Sequence, residues 1–335
     1  MAGLERGAVY VPGFRRGDLA VAGPDEDAFT LGATALEGLA SVSAGLPPPT
    51  SIHLVGTFPP VLDGGLPALL GHPIALVRHA PGIAGFREAL AAASGPSSPG
   101  PTLILAVELM GSPTSGAVAV VLRLGATGSS SGSSAPSAES AAAGARDLLA
   151  TLPATAVSYL VSLLDGSAPD EVSARAWGET ALGAVSEGAY VPRARYLENL
   201  PSRWRLEVQR CGHCGSLTFP ARNRCRSCGA EEGLTGEALP RDGARVVAAT
   251  TIGKGGQPTE FDAQVEALGE YSVVLAEFAP DVRLTLQVSD APPGTISIGD
   301  RIGTRLRRLY PMEGEWRYGR KAVPLPAAGG TTKAE

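Results

Sequence analysis

The 335-residue chain is poor in several residue types, with four cysteines, three lysines and only 5% aromatic residues. No apolar run approaches the ~20 residues that a membrane-spanning helix needs, and the first residues lack the basic and apolar segments of a signal peptide. The low aromatic content and the formal net charge of −5 disfavour a general nucleic-acid binder. Because 44% of the residues are hydrophobic, the composition predicts a globular protein long enough for two domains, with no membrane segment.

The four cysteines lie in one short window, as two Cys-x-x-Cys pairs with ten residues between them. Two such pairs, each in a tight turn, can direct four thiolates at one point, which is the tetrahedral arrangement that zinc prefers. The predicted metal ligands are Cys211, Cys214, Cys225 and Cys228. A rubredoxin-type iron site and two disulfides are the alternatives. A closed four-cysteine site has no open coordination position, so the metal is expected to be structural and not catalytic.

The residues around the cysteines fit a pair of metal-binding turns. Gly212, Gly215 and Gly229 suit left-handed backbone conformations, and His213 between the first two ligands is expected to face solvent. Since the metal site uses every cysteine, a reducing cytoplasm is the predicted location.

The basic residues of this region are arginines. Eight arginines occur between Arg193 and Cys228, against two acidic residues, Glu198 and Glu207. Arginine presents a planar fork suited to phosphate. One interpretation is a solvated basic face; the other is a surface for a phosphate-bearing ligand such as coenzyme A, or for an acidic partner.

The pattern of apolar residues divides the chain into segments. Strands alternate with helices at 27–40 and 85–93 in the first part, which predicts an α/β layered domain. Five evenly spaced strands after the cysteines predict a small barrel of the OB type, with a glycine-rich hairpin loop at 253–256. The predicted organisation is an α/β domain at 1–125, a flexible linker at 126–144, a helical connector at 145–190 with helices near 145–165 and 177–183, a lead-in helix and zinc ribbon at 191–235, a five-stranded barrel at 236–326 and a disordered tail at 327–335.

Three features of the C-terminal part accompany the cysteine spacing: the lead-in sequence 200–206, the phrase FPAR at 219–222 and the phrase GDRI at 299–302. Over about 190–326 the chain resembles the thiolase-associated OB-fold proteins with a rubredoxin-like zinc ribbon. The resemblance implies a non-catalytic partner of thiolases, condensing enzymes or hydratases that helps to hold or pass acyl-CoA; in the best-known assembly such a protein joins acetoacetyl-CoA thiolase to hydroxymethylglutaryl-CoA synthase. The residues expected to meet CoA phosphates are Arg203, Arg205, Arg222 and Arg224.

The N-terminal part carries a second resemblance. The stretches GAVYVPGFR, VAGPDEDAFTLGATALEGL and HLVGTFPPVLD are similar to the opening of hydroxymethylglutaryl-CoA synthases, within the thiolase superfamily. Two departures from that family stand out, because Gly82 occupies the position that matches the family's nucleophilic cysteine and Asp63 matches its general acid/base glutamate. The second half of the fold, which would supply the catalytic histidine, is not recognisable. The remaining histidines of the first part, His53, His72 and His79, are expected to be structural.

Without a thiolate there is no covalent acyl-enzyme, so the first hypothesis is a degenerate thiolase-like half domain in an accessory subunit. The alternative is an acyltransferase or hydroxymethylglutaryl-CoA synthase-like enzyme acting on acyl-CoA without a cysteine nucleophile. A third hypothesis, an OB barrel that binds nucleic acid, is disfavoured by the charge and the few aromatic residues. An isolated half domain would leave an apolar face uncovered, so a homodimer or hetero-oligomer is expected.

Overall fold

The computed structural model describes residues 4–10, 15–16, 19–20, 25–43, 45–56, 58, 62–80, 82–93, 100–108, 118–125, 192–312 and 315–325. The chain divides into two compact units, Met1–Trp177 and Gly178–Glu335. The predicted linker, helical connector and tail, with the helices near 145–165 and 177–183, lie outside the described residues. None of the described helices is long and apolar enough to cross a membrane.

The first unit is built on a mixed five-stranded sheet. Its elements are β1 (Leu4–Tyr10), β2 (Arg15–Arg16), β3 (Leu19–Ala20), α1 (Ala28–Val42), β4 (Ser51–Val55), α2 (Leu62–Leu70), β5 (Ala75–His79), α3 (Gly82–Ala93), β6 (Thr102–Glu108) and β7 (Val118–Leu124). The strand order is β1-β7-β6-β4-β5, and β2 and β3 form a separate small ladder. Strand β4 is parallel to β5 and β6, whereas β7 is antiparallel to β1 and β6. The alternation predicted from sequence is therefore present as an α/β unit.

Helix α1 begins where a capping box satisfies its first backbone groups. The Asp27 carboxylate accepts the backbone N–H of Thr30 at 3.0 Å, and the Thr30 hydroxyl accepts the backbone N–H of Asp27 at 2.8 Å. Asp27 is therefore the N-cap of α1. The helix packs closely on the sheet, since a Cβ added at Gly32 would lie 2.8 Å from the Leu105 side chain.

Helix α2 was not predicted, because its sequence LDGGLPALL contains two glycines and Pro67. Parallel strands β4 and β5 need a crossover connection, and α2 provides it by burying Leu66 and Leu69. Burial of this apolar side outweighs the poor local helix propensity.

Helix α3 begins at Gly82, three residues before the predicted start. Its first turn lies so close to the preceding loop that a Cβ at Gly85 would be 1.8 Å from the backbone oxygen of Ala80. Only glycine fits this contact without movement of the backbone.

Replacing Gly85 with alanine is therefore expected to destabilise the first unit by about 3 kcal/mol, the upper range for overpacking. The matched control is Gly38→Ala in α1, where the nearest atom to the new Cβ is 3.6 Å away and the expected change is a small stabilisation. Urea unfolding of the full chain, followed by circular dichroism, distinguishes the two variants. Equal midpoints for them would contradict the close contact at Gly85.

The second unit contains two short helices, a three-stranded ribbon and a barrel. Its elements are α4 (Arg193–Glu198), α5 (Leu200–Trp204), β8 (Glu207–Cys211), β9 (Leu217–Thr218), β10 (Leu234–Ala238), β11 (Asp242–Ile252), a 3₁₀ turn (Thr259–Phe261), α6 (Asp262–Leu268), β12 (Tyr271–Ala279), β13 (Val282–Gln287), β14 (Arg301–Met312) and β15 (Glu315–Pro324). The ribbon has the order β10-β8-β9 and the barrel sheet the order β13-β12-β11-β14-β15, with all neighbours antiparallel.

The barrel is nearly closed, because an isolated bridge joins Val288, just after β13, to Ala322 in β15. Its interior contains one apolar cluster to which both the ribbon and the barrel strands contribute, including Leu206, Val208, Val274 and Ile302. The predicted five-stranded OB-like barrel is confirmed. The 3₁₀ turn and α6 between β11 and β12 were not predicted.

The lead-in helices α4 and α5 are attached to the last hairpin of the barrel through three buried aromatic residues, here called the aromatic cluster: Tyr196, Trp204 and Tyr318. The Trp204 indole N–H and the Tyr196 hydroxyl each donate to the backbone oxygen of Tyr318 at 3.0 Å. The Tyr196 oxygen in turn accepts the Tyr318 backbone N–H at 2.8 Å. Arg320 donates to the backbone oxygen of Trp204 at 2.6 Å. Burial raises the pKa of Tyr196 to about 12, so its hydroxyl remains a donor at neutral pH.

Candidate metal centre and adjoining groove

Two backbone turns with the same hydrogen bonds present the cysteines. In the first, the Cys211 N–H donates to Ser216 O at 3.0 Å and the Gly215 N–H donates to Cys211 O at 2.8 Å. In the second, the Cys225 N–H donates to Ala230 O at 2.7 Å and the Gly229 N–H donates to Cys225 O at 3.0 Å. Gly215 and Gly229 occupy equivalent positions with φ of 71° and 78°, where a side chain would be strained.

The role predicted for Gly212 is wrong. Its φ is not positive, and the constraint there is spatial: a Cβ would lie 3.0 Å from the backbone oxygen of Gly233. The Gly212 N–H donates to that oxygen at 2.8 Å, so the first turn rests against the loop that leads into β10.

The four sulfur atoms lie within 4.8 Å of one another. Cys211 Sγ is 3.7 Å from Cys228 Sγ, and Cys214 Sγ is 3.7 Å from Cys225 Sγ. A tetrahedron with the usual Zn–S bond of about 2.3 Å has sulfur–sulfur edges of about 3.8 Å. These separations fit a metal ion and are too long for disulfides, and all four cysteines are free.

Ser216 is a member of the centre that the sequence analysis missed. Its hydroxyl oxygen is 3.1 Å from Cys214 Sγ and 3.3 Å from Cys225 Sγ. Hydrogen bonding to Ser216 is the largest cause that lowers the pKa of Cys214, and it lowers that of Cys225 to about 5 with help from the backbone of Cys228 and Ser227. The thiolate form, which binds metal, is therefore favoured at Cys225 at neutral pH. At Cys228 a backbone hydrogen bond from Ala230 lowers the pKa, but the hydrogen bonds with Cys214 and Cys225 outweigh it and raise the pKa to about 12, so this thiol would release its proton on binding the metal. A serine two positions after a Cys-x-x-Cys pair was the available signal.

His213 is exposed and is not part of the sulfur cluster.

The four arginines predicted to meet phosphates differ in their surroundings. Arg205 pairs with Glu207, and Arg224 pairs with Glu231. The Arg203 guanidinium lies 5.8 Å from the centre of the Tyr196 ring, while the Arg222 side chain has no polar contact among the described residues. All four remain candidates for an anionic ligand.

A groove of about 860 Å³ separates the ribbon from the turn between β12 and β13. Its apolar lining includes Leu217, Phe219, Leu239 and Phe278, which border the shared apolar cluster. Its charged lining comprises Arg210, which pairs with Glu237, together with Asp281 and Arg226. Arg226 is exposed and has no polar contact among the described residues, so it can receive an anion without losing an existing ion pair.

In the first unit, the backbone places Gly82 at the start of α3 and Asp63 near the start of α2. The side chain of Asp63 lies outside the described residues. His72 contacts the Pro73 backbone oxygen at 2.9 Å. His53 and His79 were treated separately in the sequence analysis, but the structure brings their ring nitrogens to 2.8 Å.

Three comparisons with known proteins found similarities, and the first of them lies in the ribbon of the second unit. Residues 202–232 match the family model of the ChsH2 rubredoxin-like zinc ribbon domain. The chain is 29% identical, over 133 residues, to a DUF35 domain-containing scaffold protein of Methanothermobacter thermautotrophicus; the match covers 39% of this chain and 94% of the relative. It is also similar to a chain of the solved Ltp2-ChsH2(DUF35) aldolase, with 21% identity, coverage of 41% of this chain and 98% of that chain, and a TM-score of 0.31.

The resemblance to zinc-ribbon proteins of this type is therefore confirmed. The chain carries a rubredoxin-like zinc ribbon whose four cysteines converge on one point, and the ribbon is followed by an OB-like barrel. The fit of the sulfur atoms supports structural zinc as the resident metal.

Proposed function

We propose that this chain is a non-catalytic accessory subunit that holds a thiolase-type acyl-CoA enzyme and helps to bind or channel its acyl-CoA. The observation that supports this most directly is the extent of the match to the scaffold protein, since 94% of that relative's length has a counterpart here. The matched part of the chain thus corresponds to nearly the whole of a protein described as a scaffold. A closed four-cysteine site is a structural element with no position for substrate, in agreement with that role.

The first unit supports the same proposal as a thiolase-like half domain. Strands and helices alternate in it up to β7, and this alternation is what supports the thiolase-like interpretation. Gly82 stands at the start of α3, where the family has its nucleophilic cysteine, and the four cysteines of the chain all belong to the metal centre. Acyl transfer through a thiolate would then be left to the partner enzyme. The partner, or a second copy of this chain, would also cover the face that the other thiolase half covers in that family.

The groove beside the ribbon is the proposed position for part of the coenzyme. Its apolar lining suits the long and mostly uncharged pantetheine arm, and its exposed Arg226 suits a phosphate. Arg222 is a second candidate for binding the phosphates, because its side chain has no ion pair among the described residues that would first have to break. Arg205 and Arg224 would have to exchange Glu207 and Glu231 for the phosphate, and Arg203 would leave its position over Tyr196.

Affinity purification of the tagged full chain from its native cells tests the accessory role. The expected result is recovery of an enzyme of the thiolase superfamily that has its own active-site cysteine, in a fixed ratio to the chain. The purified complex should turn over acyl-CoA, and the chain alone should not. Turnover by the chain alone would overturn the proposal and favour the cysteine-independent acyltransferase.

Coenzyme binding is tested separately on the purified complex by calorimetry with CoA. The double variant Arg222→Glu/Arg226→Glu is expected to weaken CoA binding by at least about tenfold, because two charge-assisted contacts are replaced by repulsion. The control is Arg283→Glu on β13, whose native partner is Glu277 and which does not line the groove. Unchanged CoA affinity in the double variant would exclude this arginine assignment while leaving the accessory role intact.

A further inference from the structure

His53 and His79 form a buried pair on two neighbouring parallel strands of the first unit. His53 Nδ1 lies 2.8 Å from His79 Nε2, and the two rings are nearly parallel, with an interplanar angle of 18° and centroids 5.1 Å apart. His53 is only 6% exposed. On the other side of the His79 ring, Nδ1 is 3.6 Å from the carboxylate of Glu88 in α3. A row of three titratable groups therefore runs from the surface of α3 to the interior strand β4.

The hydrogen bond between the two histidines can be kept when the neutral pair gains one proton, but not when it gains two. A hydrogen bond requires an N–H on one ring and a lone pair on the other. A single added proton is accommodated if His79 is the cation, because its Nδ1–H then faces Glu88 and its Nε2–H donates to His53 Nδ1. A second proton would have to occupy His53 Nδ1, which removes the lone pair and places two cations in contact.

The described residues around the pair offer no charge that would stabilise a second added proton. On the same face of the sheet, Ser51 and Thr102 are neutral and hydrogen-bond each other at 2.9 Å. Arg78 neighbours His79 on β5, but alternation along the strand directs it to the opposite face. Among the described side chains of β4, β5, β6 and α3, the carboxylate facing the pair is that of Glu88, and it lies beside His79 and not His53. Burial, and then the proximity of His79, lower the pKa of His53 below its ordinary 6.5.

We infer that the His53–His79 pair is a pH-sensitive latch that holds the edge strand β5 and helix α3 against β4 while the pair is neutral or singly charged, and releases them when a second added proton makes both rings cations. Among the described strands, β5 is at the edge of the sheet and pairs with β4 alone. Much of its outer surface is exposed, so the contact between the histidines is a buried polar link between this strand and the interior.

The sign of the pH effect follows from the direction of the shift. A histidine whose folded-state pKa is depressed binds fewer protons in the folded state than in the unfolded state. Its contribution to stability is fully present above about pH 6.5 and is lost as the pH falls through the lower folded-state value. Acidification from pH 7.5 to 5.0 should therefore loosen β5 and α3.

Hydrogen exchange of the full chain, measured by mass spectrometry at pH 7.5 and 5.0 and corrected for the intrinsic exchange rate, tests the latch. The protection factor of peptides spanning 75–93 is expected to fall about tenfold for each unit by which the pH is lowered from 6.5 to the folded-state pKa of His53. The variant His53→Gln, which keeps a hydrogen-bonding group but cannot be protonated, is expected to lose this pH dependence. The control His72→Gln, at an exposed histidine of the same unit, is expected to keep it.

Nitrogen NMR of the full chain labelled at histidine gives an independent reading that needs no variant. The expected result is that His53 titrates below its ordinary pKa of 6.5, and that an N–H···N hydrogen bond joins its Nδ1 to Nε2 of His79 until it does. Titration of His53 at or above pH 6.5 would overturn the inference. So would equal acid-induced loss of protection in the wild type and in His53→Gln.

Discussion

Replacing Cys225 with serine is expected to abolish stoichiometric zinc binding and to unfold the ribbon. Cys225 is a buried ligand whose sulfur lies 3.7 Å from that of Cys214 and whose backbone forms both hydrogen bonds of the second turn. Structural zinc contributes about 10–16 kcal/mol of binding free energy in small ribbon-like domains, and this energy is folding energy. Zinc content measured by elemental analysis should fall from one ion per chain to near zero. Exchange protection over 207–238 should be lost with it.

The control for this experiment lies inside the same window. His213→Ala changes the residue between Cys211 and Cys214, but the imidazole is exposed and is not part of the sulfur cluster, so this variant should retain one zinc ion and a protected ribbon. Iron in place of zinc in the wild-type protein would show that the site is of the redox-active rubredoxin type. A His213→Ala variant without metal would mean that the imidazole is a ligand after all.

Replacing Trp204 with alanine is expected to cost about 3–5 kcal/mol of unfolding free energy, the range for removal of a buried large aromatic side chain. Trp204 is 0% exposed and packs edge-on against Tyr196 and Tyr318, with ring centroids 6.4 and 6.3 Å away. The loss would detach the lead-in helices α4 and α5 from the barrel. Urea unfolding followed by circular dichroism gives the magnitude.

A second substitution at the same position separates packing from hydrogen bonding. Trp204→Phe retains an aromatic ring and removes the indole N–H, but the Tyr318 oxygen still accepts from the Tyr196 hydroxyl at 3.0 Å. It should cost about 1–2 kcal/mol. Trp316→Ala is the matched control, because Trp316 is only partly buried and its ring contacts Arg308 at 4.8 Å. A larger loss at Trp316 than at Trp204 would mean that the aromatic cluster does not anchor the lead-in helices.

The metal centre could be predicted from sequence because its chemistry is local. Two Cys-x-x-Cys pairs, each followed directly by a glycine, determine both turns, and the structure repeats the same backbone hydrogen bonds in each. The five barrel strands were predictable for a similar reason, since apolar alternation and turn residues mark each strand independently of its neighbours. Their predicted ends differ from the observed ends by up to three residues, since the fourth strand was predicted at 300–309 and β14 is Arg301–Met312.

Elements stabilised by distant contacts were not predictable in this way. Helix α2 has an unfavourable local sequence, and burial of Leu66 and Leu69 stabilises it. Helix α6 depends on the neighbouring 3₁₀ turn, where Phe261 packs against Tyr271 and Tyr310 at centroid distances of 6.0 and 5.5 Å. The pairing of His53 with His79 required knowledge that β4 and β5 are adjacent and in which register, and a single sequence does not contain that information.

The attachment of the lead-in helices has a consequence for the order in which the second unit can form during synthesis. The indole of Trp204 donates to a backbone oxygen 114 residues further along the chain, whereas the four zinc ligands span only positions 211 to 228. During synthesis, the four zinc ligands have therefore left the ribosome long before Tyr318, which anchors α5, is added. The ribbon can be loaded with zinc while the barrel is still incomplete, and the lead-in helices can dock only when the final hairpin arrives. We expect truncated chains ending before Tyr318 to hold zinc but to leave Trp204 exposed to solvent.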